Sequence, residues 1–431
     1  MKLQRLLLAL SLFASFSCQT ETGNAPENQE EVSSEPAPDS TQIPPEVLKD
    51  KVLGMLLGSA IGDAMGAPTE MWSRRDILVD YGYVSDLDTM VREPSAEGTW
   101  DFNLPAGGTT DDTRWKALTT EYLLTQQPNT QLDPTDFATL IISRYQEGIQ
   151  SLKNTESFAP EPFEEKTRKL AWLQEWAMVA KPFVEDDLQA YAYALSQFYG
   201  GEMTCAGMLY TPVVGAFYPN QPQMAYSEAY RLSLFDLGYA RDISALTAAM
   251  VSAAMSANAT PEAVINVMRD VDPEGYFSSR LVGRTAYRLL RDARNIVYEA
   301  QQLTEEDIDM QNIQMPRGYS DTLRMARTLK AYELLDAKNQ DMPFHAGEIH
   351  LVNLTALLFC NFDFRETLAF VVNFGRDNDT TAAVTGAILG AYWGADKLPE
   401  QMKERVLLTN RELLDTDLQQ LASRLTNRIG S

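Results

Sequence analysis

Gly54, Gly58, Gly62 and Gly66 recur every four residues through an apolar run from Val52 to Ala67. On a helix that spacing puts one glycine per turn on a single face, where a second backbone can approach closely. It is not the arrangement of a phosphate-binding loop, and Asp63 together with the short apolar length argues against a membrane-dimerisation helix. A second Ala-rich, Gly-punctuated stretch, Thr381 to Gly394, lies near the other end of the chain. Both are predicted to be central helices of a bundle.

The rest of the chain keeps the same period. Further helices are predicted over 114–124, 136–152, 167–180, 186–198, 223–236, 242–257, 261–271, 281–302, 320–335, 350–359, 364–374 and 401–428. Start signals support several of them, as at Thr260-Pro261-Glu262, where Thr caps and Pro sits in the first turn. No run of alternating strands and no short repeat is visible, and 45% hydrophobic residues in 431 suffice for a large core. The expected class is all-α, with one domain spanning 46–431.

Two acidic segments carry the chemistry. In Gly107-Gly108-Thr109-Thr110-Asp111-Asp112-Thr113 a glycine turn delivers adjacent carboxylates, flanked by hydroxyls, to the start of a helix. Gly375-Arg376-Asp377-Asn378-Asp379-Thr380 does the same before the second glycine-rich helix. Either alone is explained by helix capping, since Thr and Asp are favoured there. Together they place two carboxylates and a threonine at the mouth of each helix, more than capping needs. Four carboxylates meeting without Lys or Arg would repel one another, so a cation is expected among them. An all-oxygen set selects Mg²⁺, Mn²⁺ or Ca²⁺ and excludes a His and Cys zinc site.

Composition narrows the alternatives. Sixty acidic residues against 36 basic ones give a net charge of −24, which repels nucleic acid and anionic lipid. The two histidines, His345 and His350, are expected to be structural, with His345 able to line a pocket. Cys205 and Cys360 stand in apolar company and read as buried thiols. At the N-terminus, Lys2 and Arg5 precede an apolar run from Leu6 to Phe16 and then Ser17-Cys18, which reads as an export signal over 1–17. Cys18 fits a lipid-anchored mature N-terminus, although Ser15 stands where an aliphatic residue is usual, and simple secretion is the other outcome. A polar tether is expected over 18–45, with any membrane contact made through the lipid alone.

Gly62-Asp63-Ala64-Met65-Gly66 followed by Glu70, then Thr110-Asp111-Asp112-Thr113, then Gly375 to Ala383 resemble, in that order, the motifs of the ADP-ribosylglycohydrolase family. The resemblance runs from about Val52 to Leu398. It implies an all-α fold, a single large orthogonal helical bundle, with two divalent ions, Mg²⁺ or Mn²⁺. Thr110, Asp111, Asp112, Asp377, Asp379 and Thr380 are then the metal ligands. Asp63 orients a ligand or a helix end. The implied reaction is hydrolysis at the anomeric carbon of a ribose, with Asp112 accepting a proton from water and Glu70 assisting the leaving group. The implied partner is a small-molecule or protein-linked ribosyl substrate, bound by a monomer. Thr204-Cys205-Ala206-Gly207-Met208-Leu209 replaces an Asn-Gly…Met-Arg pattern of many members, and Phe235 to Arg241 lacks a frequent histidine, which leaves the substrate open. A fold that binds such a ligand without turnover, or a Ca²⁺-stabilised scaffold, are the alternative readings.

Overall fold

The two glycine stripes pack on each other. In this computed structural model, which describes residues 43–91, 103–154, 166–167, 170–281, 283–308, 313, 315–316 and 319–431, the helices Pro45–Gly66 and Asn378–Trp393 run antiparallel. Gly54 lies against Gly390, Gly58 against Gly386, Gly62 against Ala382 and Gly66 against Asp379. A Cβ on any of the four would fall within 3.0 Å of partner backbone, which side-chain carbons do not tolerate. Both helices are buried nearly all round, as core helices with apolar residues on every face must be.

At the far end of this pair, the buried Lys51 closes the helix termini. Its Nζ donates to the carbonyl oxygens of Ala254, Ala391 and Tyr392 at 2.8, 2.9 and 2.9 Å. These are last-turn carbonyls of the Ala240–Ala254 and Asn378–Trp393 helices, which have no partner within their own helix. Burial lowers the Lys51 ammonium to a pKa of about 8.

Helix Ala206–Phe217, buried at every position, packs against both Ala240–Ala254 and Asp111–Thr125. The ring of Trp115 meets Trp172, Trp176 and Tyr210 at centroid separations of 5.0, 4.0 and 6.0 Å, filling the space between these layers. Elsewhere, Thr285–Gln301 packs on Ala346–Phe359, and two C-terminal helices cover the opening helix. Those two, Glu400–Leu413 and Leu418–Ile429, replace the single helix predicted over 401–428. The chain breaks because Asp415 turns into the left-handed region (φ 53°) and the Asp417 side chain caps the next helix at Gln420 N.

Among the described residues there is no strand, and the all-α expectation holds. No described helix is long and apolar enough to cross a membrane. The predicted export signal, Cys18 and the tether as far as Gln42 lie outside the described residues. The first helix starts at Pro45, one residue before the predicted domain boundary, with proline in its first turn.

Candidate active site

The two acidic segments come together where the opening helix stops. After Gly66 a short 3₁₀ turn, Ala67–Thr69, leads to Glu70. Asn378 Nδ2 donates to Thr69 Oγ1 and to the carbonyl of Val372, both at 2.9 Å. Met71 N then donates to Arg376 O at 2.7 Å, and Arg376 N to Trp72 O at 2.9 Å. Glu70 is thereby laced beside the Gly375-Arg376-Asp377 loop. The lacing requires left-handed backbone at Met71 (φ 64°), Gly375 (φ 83°) and Arg376 (φ 64°), a strain of roughly 1–2 kcal/mol at each non-glycine residue. The Arg376 guanidinium holds the loop by pairing with the buried Glu348 and donating to Gln340 O at 2.7 Å.

Asp63, fully buried one turn before the end of the opening helix, organises the other acidic segment. Its Oδ1 accepts from Thr110 N at 2.9 Å, and its Oδ2 from Thr113 N at 3.0 Å and Thr113 Oγ1 at 2.6 Å. It thus satisfies the open amides at the start of helix Asp111–Thr125, the helix-orienting role the resemblance implied. Burial first, then the charges of Asp112 and Asp379, push its pKa up to about 7. Thr110 also occupies the N-cap position, its Oγ1 3.4 Å from Asp112 N. Capping therefore explains Thr110 in part. It does not explain Asp377, which stands at the N-cap of Asn378–Trp393 with no side-chain cap bond.

The two segments meet. Thr110 Oγ1 donates to Asp379 Oδ2 at 3.3 Å across 269 positions of sequence, and Thr380 Oγ1 donates to Asp112 Oδ2 at 2.9 Å across 268. Burial, then the neighbouring carboxylates, push the Asp111 and Asp377 carboxyls well above the usual range. The expectation that no Lys or Arg joins them is corrected. Lys116, one turn after Asp112 and as buried, puts Nζ 3.2 Å from Asp112 Oδ1 and 3.1 Å from its carbonyl. An i,i+4 acid–lysine pair was readable from the sequence. Lys116, with the charge of Arg114 acting on Asp111, stands against five carboxyls, Asp63, Asp111, Asp112, Asp377 and Asp379, so the acids still outnumber the cations.

Glu70, Asp111, Asp377, Asp379 and Thr380 line one pocket, which encloses about 580 Å³ including its mouth. Thr110 and Asp112 lie beneath that wall, buried and bonded as described. Of the adjacent pair, Asp111 lines the cavity, whereas Asp112 is bonded to Thr380 and Lys116. The rest of the lining is largely apolar, with Trp176, Tyr199, Leu209 and Phe344, and includes Thr204 and Cys205. Cys205 Sγ lies 3.8 Å from Asp377 Oδ2, and burial followed by that carboxylate pushes the thiol's pKa well up. Cys205 and Cys360 are both free thiols. Sequence reasoning missed Trp176, Tyr199 and Phe344, which no local pattern links to the acids. His345 does not line the pocket: its Nδ1 accepts from Gly347 N at 3.1 Å as a helix cap, and His350 is buried against Met268.

A hard divalent cation fits this chemistry, since all the donors are oxygen and the carboxylates crowd one another in a buried place. Among the described residues, no three acidic, His or Cys side chains converge on one point as a closed cage does. The oxygens are turned instead toward threonine hydroxyls and Lys116.

The model of one protein family, ADP-ribosylglycohydrolase, matches residues 44–431. The chain belongs to the ADP-ribosylglycohydrolase family. A solved structure described as an ADP-ribosylglycohydrolase-related protein complex is 19% identical, with a TM-score of 0.53, over 89% of this chain and 99% of that one. At that identity the likeness concerns the fold. No curated protein matches the chain. An ADP-ribosylglycohydrolase fold and family indicate a glycohydrolase-type enzyme, and the family is generally metal-dependent.

Proposed function

We propose that this ADP-ribosylglycohydrolase hydrolyses a ribosyl glycosidic bond of an ADP-ribosyl or related N-riboside substrate with two divalent ions. The observation that carries the reading is the pair of crossed Thr–Asp bonds, which joins two distant acidic helix starts on the wall of one pocket beside Glu70. Thr110, Asp111, Asp112, Asp377, Asp379 and Thr380 would hold the ions. Bound there, Mg²⁺ or Mn²⁺ supplies Lewis acidity toward the ribose hydroxyls and the attacking water.

The chain's own residues supply the rest. Asp63 stays outside the ligand set because both of its oxygens accept from the Thr110–Thr113 segment, and it fixes the direction of the Asp111 helix. A water oxygen bonds to the anomeric carbon as the bond from that carbon to the leaving group breaks. The water's proton passes to Asp111, and Glu70 delivers a proton to the departing atom. Trp176, Tyr199, Leu209 and Phe344 exclude bulk water and offer flat apolar surface of the kind a nucleobase stacks on.

The full chain, incubated with Mg²⁺ or Mn²⁺ and a panel of ADP-ribosylated proteins, ADP-ribosyl compounds and nucleosides, is expected to release a ribose-type product. Silence across the panel from a metal-loaded protein would overturn the reading.

A further inference from the structure

A second, larger groove, enclosing about 1370 Å³ including its mouth, opens on the other side of Met71, and Met71 is the residue both cavities share. Trp72, Arg74, Arg75 and Arg376 line it, with Asp336 as the one lining carboxylate. Three guanidinium groups around one groove stand out in a chain of net charge −24. Two are fixed in place: Arg74 pairs with Asp336 at 2.6 Å and lies over the Tyr332 ring at 5.2 Å, and Arg376 pairs with Glu348. Arg75 is exposed and has no ion pair among the described residues, so the groove keeps a surplus positive charge beside two guanidinium planes of set orientation.

The groove's position follows from the lacing described above. Glu70 is the residue before Met71, and Arg376 precedes Asp377, so the groove begins where the acid-lined pocket ends on the Glu70 side. Resting on the proposed reaction, in which Glu70 attends the departing atom, that is the side on which the leaving group projects. We propose that the groove receives the leaving-group part of the substrate and that this part carries an anion, a carboxylate or a phosphate, held by Arg75 and Arg376. The acidic pocket holds the ribose, and the basic groove selects what the ribose is attached to.

The test uses the full-length chain in metal-free buffer and titrates it calorimetrically with inorganic phosphate and, separately, hexaglutamate. The two arms distinguish phosphate from carboxylate. At least one probe is expected to bind, about tenfold more weakly to Arg75→Glu and within about threefold of wild type for Arg75→Lys. Mn²⁺ affinity is expected to be the same in all three proteins. No binding of either probe, or equal binding by Arg75→Glu, would overturn the proposal. Hydrolysis is read separately, with ribosyl substrates bearing a neutral leaving group. Loss of that activity in wild type with anion binding intact would strike the reaction and leave the groove standing.

Discussion

Replacing Gly58 by alanine separates two physical effects of opposite sign. In an unconstrained helix interior, Gly→Ala stabilises by about 1 kcal/mol, because glycine loses more backbone freedom on folding. Here the added methyl would fall within 3.0 Å of the Gly386 carbonyl and of the Gly390 Cα, both backbone atoms that cannot rotate away. Overpacking of a well-filled core costs about 1–3 kcal/mol, and a backbone obstacle argues for the upper end. The balance is a net loss of about 2 kcal/mol, read as a lower denaturation midpoint with unchanged helical signal. Gly66→Ala adds a second readout, since its methyl would press on Asp379 N and Cα. It is expected to weaken divalent-metal binding as well, whereas Gly54→Ala, at the far end of the same stripe, lowers stability alone. A Gly58→Ala protein as stable as wild type, or more so, would refute the close-packing argument.

Lys51→Met removes three carbonyl contacts and is expected to lower stability by about 2 kcal/mol at pH 7, measured by denaturant unfolding. The same residue has a pH signature. Its folded pKa, about 8, lies below the 10.5 of an ordinary lysine, so between those limits the unfolded chain binds the extra proton and stability rises with pH. Discounted for residual solvation, that gain is about 1–2 kcal/mol from pH 8 to 9.5, and it should vanish in Lys51→Met, as paired unfolding curves at the two pH values would check. Lys116→Met withdraws the buried cation from Asp112. Mn²⁺ affinity is then expected to rise several-fold in calorimetry, and an unchanged or weaker affinity would contradict the view that lysine and metal compete for that carboxylate.

How much of this was legible in the sequence depends on the residue. The glycine stripes declared themselves because a four-residue period has few other uses, and both acidic segments were visible as copies of one pattern. Helix Ala206–Phe217 was not, because it is buried on every side, so no apolar stripe marks it, and Pro212 interrupts its propensity. The helix predicted over 223–236 stops at Leu232, since Ser233 to Asp236 leave the axis and Asp236 accepts from Gly207 N at 2.8 Å, a tertiary contact that overrides the local period. In the site, the acids were legible but their division of labour was not. Which of Asp111 and Asp112 faces the cavity follows from the direction of one helix start, and Asp63, far away in sequence, sets that direction. The left-handed Met71 and Arg376 carry no composition signal, because backbone–backbone bonds to each other's loop impose them.

The central claim is that two acidic helix starts form one metal site, and calorimetric titration of Mn²⁺ into wild type, Asp111→Asn and Asp379→Asn tests it most directly. Wild type is expected to bind two ions, and each variant to lose at least tenfold in affinity while its circular dichroism stays that of a folded all-α protein. Undiminished binding in both variants would contradict the account.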